Sequence, residues 1–494
     1  MYNIVTNKSN THQALWVAVG SLSSFTLGIV SAAILSRYFD KTEYGTYRQI
    51  LYVYSSLLVI FTAGLPRVFA FYLPRYTLEQ GYYIILKISK VLFLLGLLFS
   101  IILFAFSGLI ATVLKNPELE TGLKYFSPVP MLLLPTLGIE GIFSTYKKTI
   151  VIAIYNTLTR FITLGFIVIP VILFKGTYLY AIYGWLVASF ITLWIAYYFK
   201  RIPFKNISVK KASLSYREIF KYSIPLAMAS LAGIAIKAAD QFYISRYFGA
   251  EVFADFANGF IELPFVHMIT SATSIVLMPL FSKSLNEKYK WDQLLNVWKN
   301  TLQKSSLIIY PLVIFFIIYA KEIVTFLYST KYIEASVYFT IALTINFFNI
   351  IVFVPLILSL GETKFYALLH ILFAILAWII GYLIILTFNS PIAIAVFSAL
   401  RTMIIVLIVL IYVAKLTQIK FLDLFPIKIL INTAVHSLIA IFIVKFITDS
   451  FFPEVMNFWI LIISFIFFIL VLIISSPFFR INYLSIIKPL IVKF

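Results

Sequence analysis

The chain has 494 residues, 62% of them hydrophobic and 12% charged, with a mean hydropathy of +1.00 and no cysteine. A soluble chain is roughly 45–50% apolar and about 25% charged, so a water-facing fold of this length could not cover its surface, and a soluble enzyme is excluded. The net charge of +20, from 39 Lys and Arg against 19 Asp and Glu, falls between apolar runs rather than on a folded polar domain, which excludes a nucleic-acid module. Without cysteine there are no disulfides, thiolate metal sites or thiol catalysis.

A bilayer-spanning helix needs about 20 apolar residues, and fourteen candidate segments follow one another. They are 14–36, 47–73, 82–114, 123–145, 149–173, 177–199, 218–246, 256–282, 305–320, 336–360, 365–388, 392–414, 427–445 and 457–477. Stretches such as Leu92 to Phe106 are apolar throughout, whereas strands of a membrane barrel alternate in polarity. The chain therefore reads as an all-α polytopic membrane protein of about fourteen transmembrane helices. The first segment exceeds the apolar core of a cleaved signal, about 7–15 residues, and is expected to be a retained helix.

Cytoplasmic loops carry the excess of Lys and Arg. With the N-terminus inside, 25 basic residues fall on the inner side, seven of them in the 200–221 loop beginning at Lys200, against ten outside. Both termini are thus expected in the cytoplasm. Four basic residues remain at membrane depth, Arg67, Arg160, Lys237 and Arg401, with three acids, Glu140, Asp240 and Glu262. Ionisable groups there cost about 2.5–3.5 kcal/mol each on the mildest scale, so they face a bundle interior or a watery cavity.

The polar connection Lys200 to Arg217 lies near the middle of the chain. Ser36-Arg37-Tyr38-Phe39 recurs 209 residues later as Ser245-Arg246-Tyr247-Phe248, each copy ending the helix that opens its half. Two six-helix repeats of the same orientation, related by an axis along the membrane normal, would fill 1–200 and 218–414. Residues 201–217 form a cytoplasmic linker, and 415–494 hold helices 13 and 14 and a cytoplasmic tail.

The first-helix ending Ala33 to Asp40, the following Glu43-Tyr44-Gly45-Thr46-Tyr47, Gly64-Leu65-Pro66-Arg67 in helix 2 and the Asp240 to Gly249 segment closing helix 7, with the 6+6+2 helix count, resemble Wzx-type polysaccharide exporters. That family shares a superfamily with the MurJ lipid II flippase and the MATE drug exporters. The second half departs from the pattern, with Phe253-Ala254-Asp255-Phe256 where the first has Tyr44-Gly45-Thr46-Tyr47. The resemblance implies a pair of six-helix lobes that carries an undecaprenyl-pyrophosphate-linked oligosaccharide to the outer leaflet of the inner membrane by alternating access. It also implies a polysaccharide polymerase and a chain-length regulator as partners, besides the bilayer itself.

Each buried charge has two readings. Arg67, beside Pro66, is either a phosphate contact at the inner mouth or a snorkelling residue. Arg160 shares a helix face with Asn156 and Thr159 and is expected to bind phosphate through its planar fork. Lys237 is either a substrate contact or the neutralising neighbour of Asp240, three residues on, which is its charge partner or a coupling site. Arg401 lies mid-helix as a further candidate contact. Glu140 and Glu262 are candidate proton carriers or partners of the arginines. His267, His370 and His436 fall within spans, where packing is the ordinary role. With no P-loop, nucleophile elbow or metal-ligand spacing, neither cofactor, metal nor catalytic residue is expected. A MATE-like ion-coupled drug exporter, or a membrane glycan polymerase or acyltransferase, remain as alternatives.

Overall fold

The computed structural model describes residues 10–286, 291–451 and 457–483, and all their regular structure is helical. Lys8, Lys288, Lys290, Lys488 and Lys493, counted on the inner side, lie outside the described residues, as does the tail past Tyr483. Among the described residues eleven helical runs are long and apolar enough to cross a bilayer, and one bent pair makes twelve. The chain forms two compact units, Met1–Ala254 and Asp255–Phe494.

The first unit opens with α1 (Asn10–Tyr38) and α2 (Lys41–Thr62). Extended Asp40 caps α2, its carboxylate accepting from the Glu43 N–H at 2.7 Å, which satisfies one of the helix's orphan donors. The run ends at Ala63, whose φ is 47°, and Gly64, whose φ is 69°. A Cβ on Gly64 would collide with the Ser223 carbonyl oxygen, so both conformation and space require glycine there. Pro66 then opens α3 (Pro66–Tyr72) in its first turn, where no N–H is needed. The helix is therefore interrupted between Thr62 and Pro66, within one membrane-length run, Lys41–Arg75.

Next come α4 (Leu78–Ala105), α5 (Ser107–Val113), α6 (Glu118–Phe126), α7 (Val129–Leu133) and α8 (Ile139–Thr145). The expected span 123–145 is present as one run, Glu118–Thr145, with its helix interrupted locally. Pro135 stands in a short 3-10 turn, Leu137 is extended and Gly138 has a φ of 91°. A side chain on Gly138 would strike the Phe69 ring, so α8 lies directly against α3. Two unbroken hairpin helices follow, α9 (Thr149–Phe174) and α10 (Tyr178–Arg201).

The long α11 (Tyr216–Gly259) is interrupted at Gly249, with φ 81° and ψ 179°. Its body packs along α2 and α3. The Tyr52 hydroxyl donates to the Ala238 carbonyl at 3.1 Å, Gln49 Nε2 to Ser245 Oγ at 2.8 Å, and Phe71 stacks on Tyr222 with centroids 3.9 Å apart. Thr42 Oγ1 donates to Glu251 Oε1 at 3.0 Å, a pair separated by the same 209 residues as the recurring tetrapeptide.

The second unit holds α12 (Pro264–Asn286), α13 (Trp291–Ile318), α14 (Ala320–Tyr328), α15 (Ala335–Thr344), α16 (Asn346–Asn349) and α17 (Phe353–Ser359). It ends with α18 (Thr363–Phe388), α19 (Pro391–Thr417), α20 (Ile427–Phe451) and α21 (Asn457–Ser475). The expected span 336–360 is broken after Asn349 and bends by 43° before α17. Lys445, counted on the outer side, pairs with Glu322 at 2.9 Å.

Candidate functional site

Arg160 stands twelve residues into the 26-residue α9 and is exposed. Its side chain makes no hydrogen bond or ion pair among the described residues, and it acts electrostatically on the hydroxyls of Tyr54 and Tyr155. One turn earlier, Asn156 Nδ2 donates to Glu140 Oε1 at 3.3 Å. A guanidinium so placed cannot rest in hydrocarbon. The strip Glu140, Asn156, Arg160 therefore marks a face of the first unit that must meet water or an anion.

Arg67 occupies the second position of α3, exposed, directly after the break. α3 and α8 meet through Gly141, where a Cβ would lie 3.2 Å from the Ala70 nitrogen and 3.4 Å from the Pro66 carbonyl. Two short helices produced by chain breaks thus carry Arg67 and Glu140 as one packed pair.

Sequence reasoning placed Lys200 in the cytoplasmic loop, and it is instead the most integrated cation of the first unit. α10 continues through it, and its side chain is 3% exposed. Nζ donates to the carbonyls of Pro135 at 2.7 Å and Leu137 at 2.9 Å and to Ser89 Oγ at 3.1 Å, and it sits 5.3 Å from the Phe69 ring centroid. Among the described residues no acid pairs with it. Those carbonyls are freed by the break before α8, and a lysine ammonium is a natural cap for carbonyls that lose helical donors. The signal was present in the stripe Ser189, Thr192, Ala196, Lys200, buried at steps of three and four, the spacing of one helix face.

Lys237 and Asp240 share α11 as expected, with Lys237 exposed and Asp240 only 5% exposed. The Asp240 carboxylate acts electrostatically on Tyr52, whose hydroxyl is bonded two residues away at Ala238. Five of the seven expected site residues thus belong to the first unit.

Arg401 and Glu262 belong to the second. Arg401 is 2% exposed, donates from Nη2 to Ser398 Oγ at 3.1 Å and lies 5.2 Å from the Phe397 ring centroid. Glu262 is exposed and borders a cavity of about 320 Å³ that also reaches His267. His436 is buried between the Tyr483 hydroxyl at 3.0 Å and Ser475 Oγ at 2.7 Å, and His370 Nδ1 donates to the Tyr366 carbonyl at 2.9 Å. Both histidines are satisfied packing residues. No group of three His, Asp or Glu residues able to hold a metal is present among the described residues.

The family described as polysaccharide biosynthesis protein matches residues 34–337, more than half of the chain. No curated protein matches it in sequence. Among solved structures the fold is similar to the lipid II flippase MurJ in an inward closed conformation, with a TM-score of 0.71 at 18% identity, covering 94% of this chain and 99% of that one. An inward-facing MATE multidrug resistance transporter aligns with a TM-score of 0.58 at 12% identity, covering 84% and 96%. A transporter of the same superfamily from Pyrococcus furiosus gives 0.56 at 13%, covering 82% and 94%.

Proposed function

The chain belongs to the polysaccharide biosynthesis protein family, and from that premise we propose that it flips an undecaprenyl-diphosphate-linked oligosaccharide to the outer leaflet of the inner membrane by alternating access. It does so as a carrier and not as an enzyme. The observation that carries this reading is the exposed, unpaired Arg160 in the middle of a membrane helix. A fixed cation facing an aqueous space suits an anionic headgroup, whereas an exporter of cationic drugs would want a free acid in that position. Arg160 and Arg67 receive the diphosphate, Lys237 adds a third contact, and Glu140, held by Asn156, leaves the cations in excess. Arg401 has no open face and supports packing. Asp240 neutralises Lys237 as its i, i+3 neighbour, which makes the lysine tolerable at that depth.

The full topology is fourteen spans, adding α1 and α12 to the twelve, arranged as two six-helix lobes with helices 13 and 14 appended. Both termini and the 200–217 loop are cytoplasmic. An inside-negative potential drives an anion outward by about 2.3 kcal/mol per charge per 100 mV, so the diphosphate itself supplies a driving force. A polymerase and a chain-length regulator receive the product.

Flipping of a fluorescent polyprenyl-diphosphate saccharide in proteoliposomes tests the reading. Arg160→Ala and Lys237→Ala each abolish it, and Arg160→Lys retains part, keeping charge without the bidentate fork. Wild-type rates in correctly inserted Ala variants would remove these residues from the mechanism. For topology, a cysteine at Ser208 should resist an impermeant thiol reagent applied outside intact cells; labelling from outside would reverse the orientation.

A further inference from the structure

The second unit contains a cavity of mixed polar and apolar lining that the cation strip does not use. We propose that this cavity, between α12 and the broken run α15 to α17, is a subsite for an uncharged, hydroxyl-rich ring of the headgroup, a hexose or N-acetylhexosamine. This rests on the proposed transport of a glycosylated lipid diphosphate.

The cavity's volume of about 320 Å³ stands at the small end of ligand sites, roughly 300–1,000 Å³, and suits one saccharide ring. One wall is a polar stripe on a membrane helix. His267, Thr270, Ser271 and Ser274 line the cavity from α12 at positions i, i+3, i+4 and i+7, a single helix face. Such a face gains nothing from lipid, so it exists for a polar neighbour. The hydroxyl protons of Thr270 and Ser274 are spent on their own helix, at 3.0 Å to the Val266 carbonyl and 2.9 Å to the Thr270 carbonyl. Their oxygens remain as acceptors for incoming O–H groups.

The opposite wall supplies donors as well. Asn349, which lines the cavity, donates from Nδ2 to Asn346 Oδ1 at 3.1 Å, a bond that leaves its amide a second N–H and its carbonyl oxygen. An amide that gives and accepts, beside hydroxyl acceptors, matches the mixed pattern of a sugar edge. Phe348 and Phe353 also line the space and offer apolar surface to the C–H face of a ring.

Charge narrows the ligand class further. Among the described residues no Lys or Arg lines the cavity, and Glu262 is its carboxylate. A diphosphate would be repelled there, and a metal would find no set of three ligands. A neutral polyol meets neither objection. The 43° break beside Asn349 fits the placing of transporter substrate sites at discontinuous membrane helices.

The absence of native cysteine makes the cavity directly testable in the detergent-solubilised full chain. Ser271→Cys is reacted with a small methanethiosulfonate reagent, with Thr363→Cys, exposed at the start of α18, as the reference. Glucose, galactose and N-acetylglucosamine are the probes, with inorganic pyrophosphate and sodium chloride as the other arms. A bound probe at twice its Kd slows labelling about threefold, following 1 + [L]/Kd, and the proposal expects this at Ser271→Cys alone. Slowing by pyrophosphate or sodium alone, or by no saccharide, overturns it.

Transport provides the second readout. In proteoliposomes Asn349→Leu should slow a glycosylated polyprenyl diphosphate about fivefold to tenfold more than the sugarless lipid, the worth of one or two hydrogen bonds. Equal slowing of both would assign Asn349 to packing and overturn the subsite. If the wild-type protein flips neither lipid, the flippase reading fails, and the labelling result still decides what the cavity binds.

Discussion

Lys200 draws the Pro135 and Leu137 carbonyls and the Ser89 hydroxyl to one ammonium, and replacing it exposes how much of the α8 break depends on that donor. Lys200→Met leaves the buried Pro135 carbonyl and the part-buried Leu137 carbonyl unmet, at about 1–3 kcal/mol for a fully buried one. It should lower the melting temperature of the solubilised protein markedly and reduce transport in parallel. Ser89→Ala deletes one partner only and should cost about 0.5–1.5 kcal/mol. A Lys200→Met protein as heat-stable as the wild type would show that the break holds itself. At Asp240 the expectation is different in kind. As a structural counter-charge, Asp240→Asn should lose stability or transport equally at every pH, whereas a response of the wild type to a pH gradient that vanishes in a stable variant would make Asp240 a coupling site. The depth of Arg160 was legible from sequence because an arginine amid apolar residues is conspicuous. Lys200 was not, because a lysine at a helix's polar end looks like any loop lysine, and only the tertiary position of a break in another helix makes it internal.

At the scale of elements, the existence and order of the helices followed from apolar run length, while their interruptions followed only where chemistry was concentrated. The interruption at Ala63 to Pro66 has glycine and proline only two residues apart, a pairing visible in the sequence. The breaks before α8 and after Asn349 were hidden, since Pro135 and Gly138 are spaced apart and the link Ile350 to Val352 is as apolar as its surroundings. Hydropathy registers solvent, not backbone direction, and cannot see such a break. The seam of α2 and α3 with α11 gives a prediction at this scale. Cysteines at Thr42 and Glu251, whose side chains now touch, should couple with a short bismaleimide linker, and the coupled protein should stop flipping while each single variant continues. Undiminished transport by fully coupled protein would show that this end of the seam need not part.

As the proposed flippase, the whole molecule would have to move a bulky headgroup without short-circuiting the membrane. Two glycines in the seam bear on this: a Cβ at Gly45 would collide with the Ala250 carbonyl oxygen, and one at Gly64 with that of Ser223. Nineteen residues separate them, about 28 Å at 1.5 Å per residue, close to the roughly 30 Å of hydrocarbon. On the proposed topology these two points fall near opposite faces of the bilayer, and at each backbone meets backbone. Such a pair would act as electrical insulation. Gly45→Leu or Gly64→Leu should therefore make even a transport-dead protein harmful, by leaking ions. In cells carrying either variant in an Arg160→Ala background, a potential-sensitive dye should report depolarisation that Arg160→Ala alone does not cause.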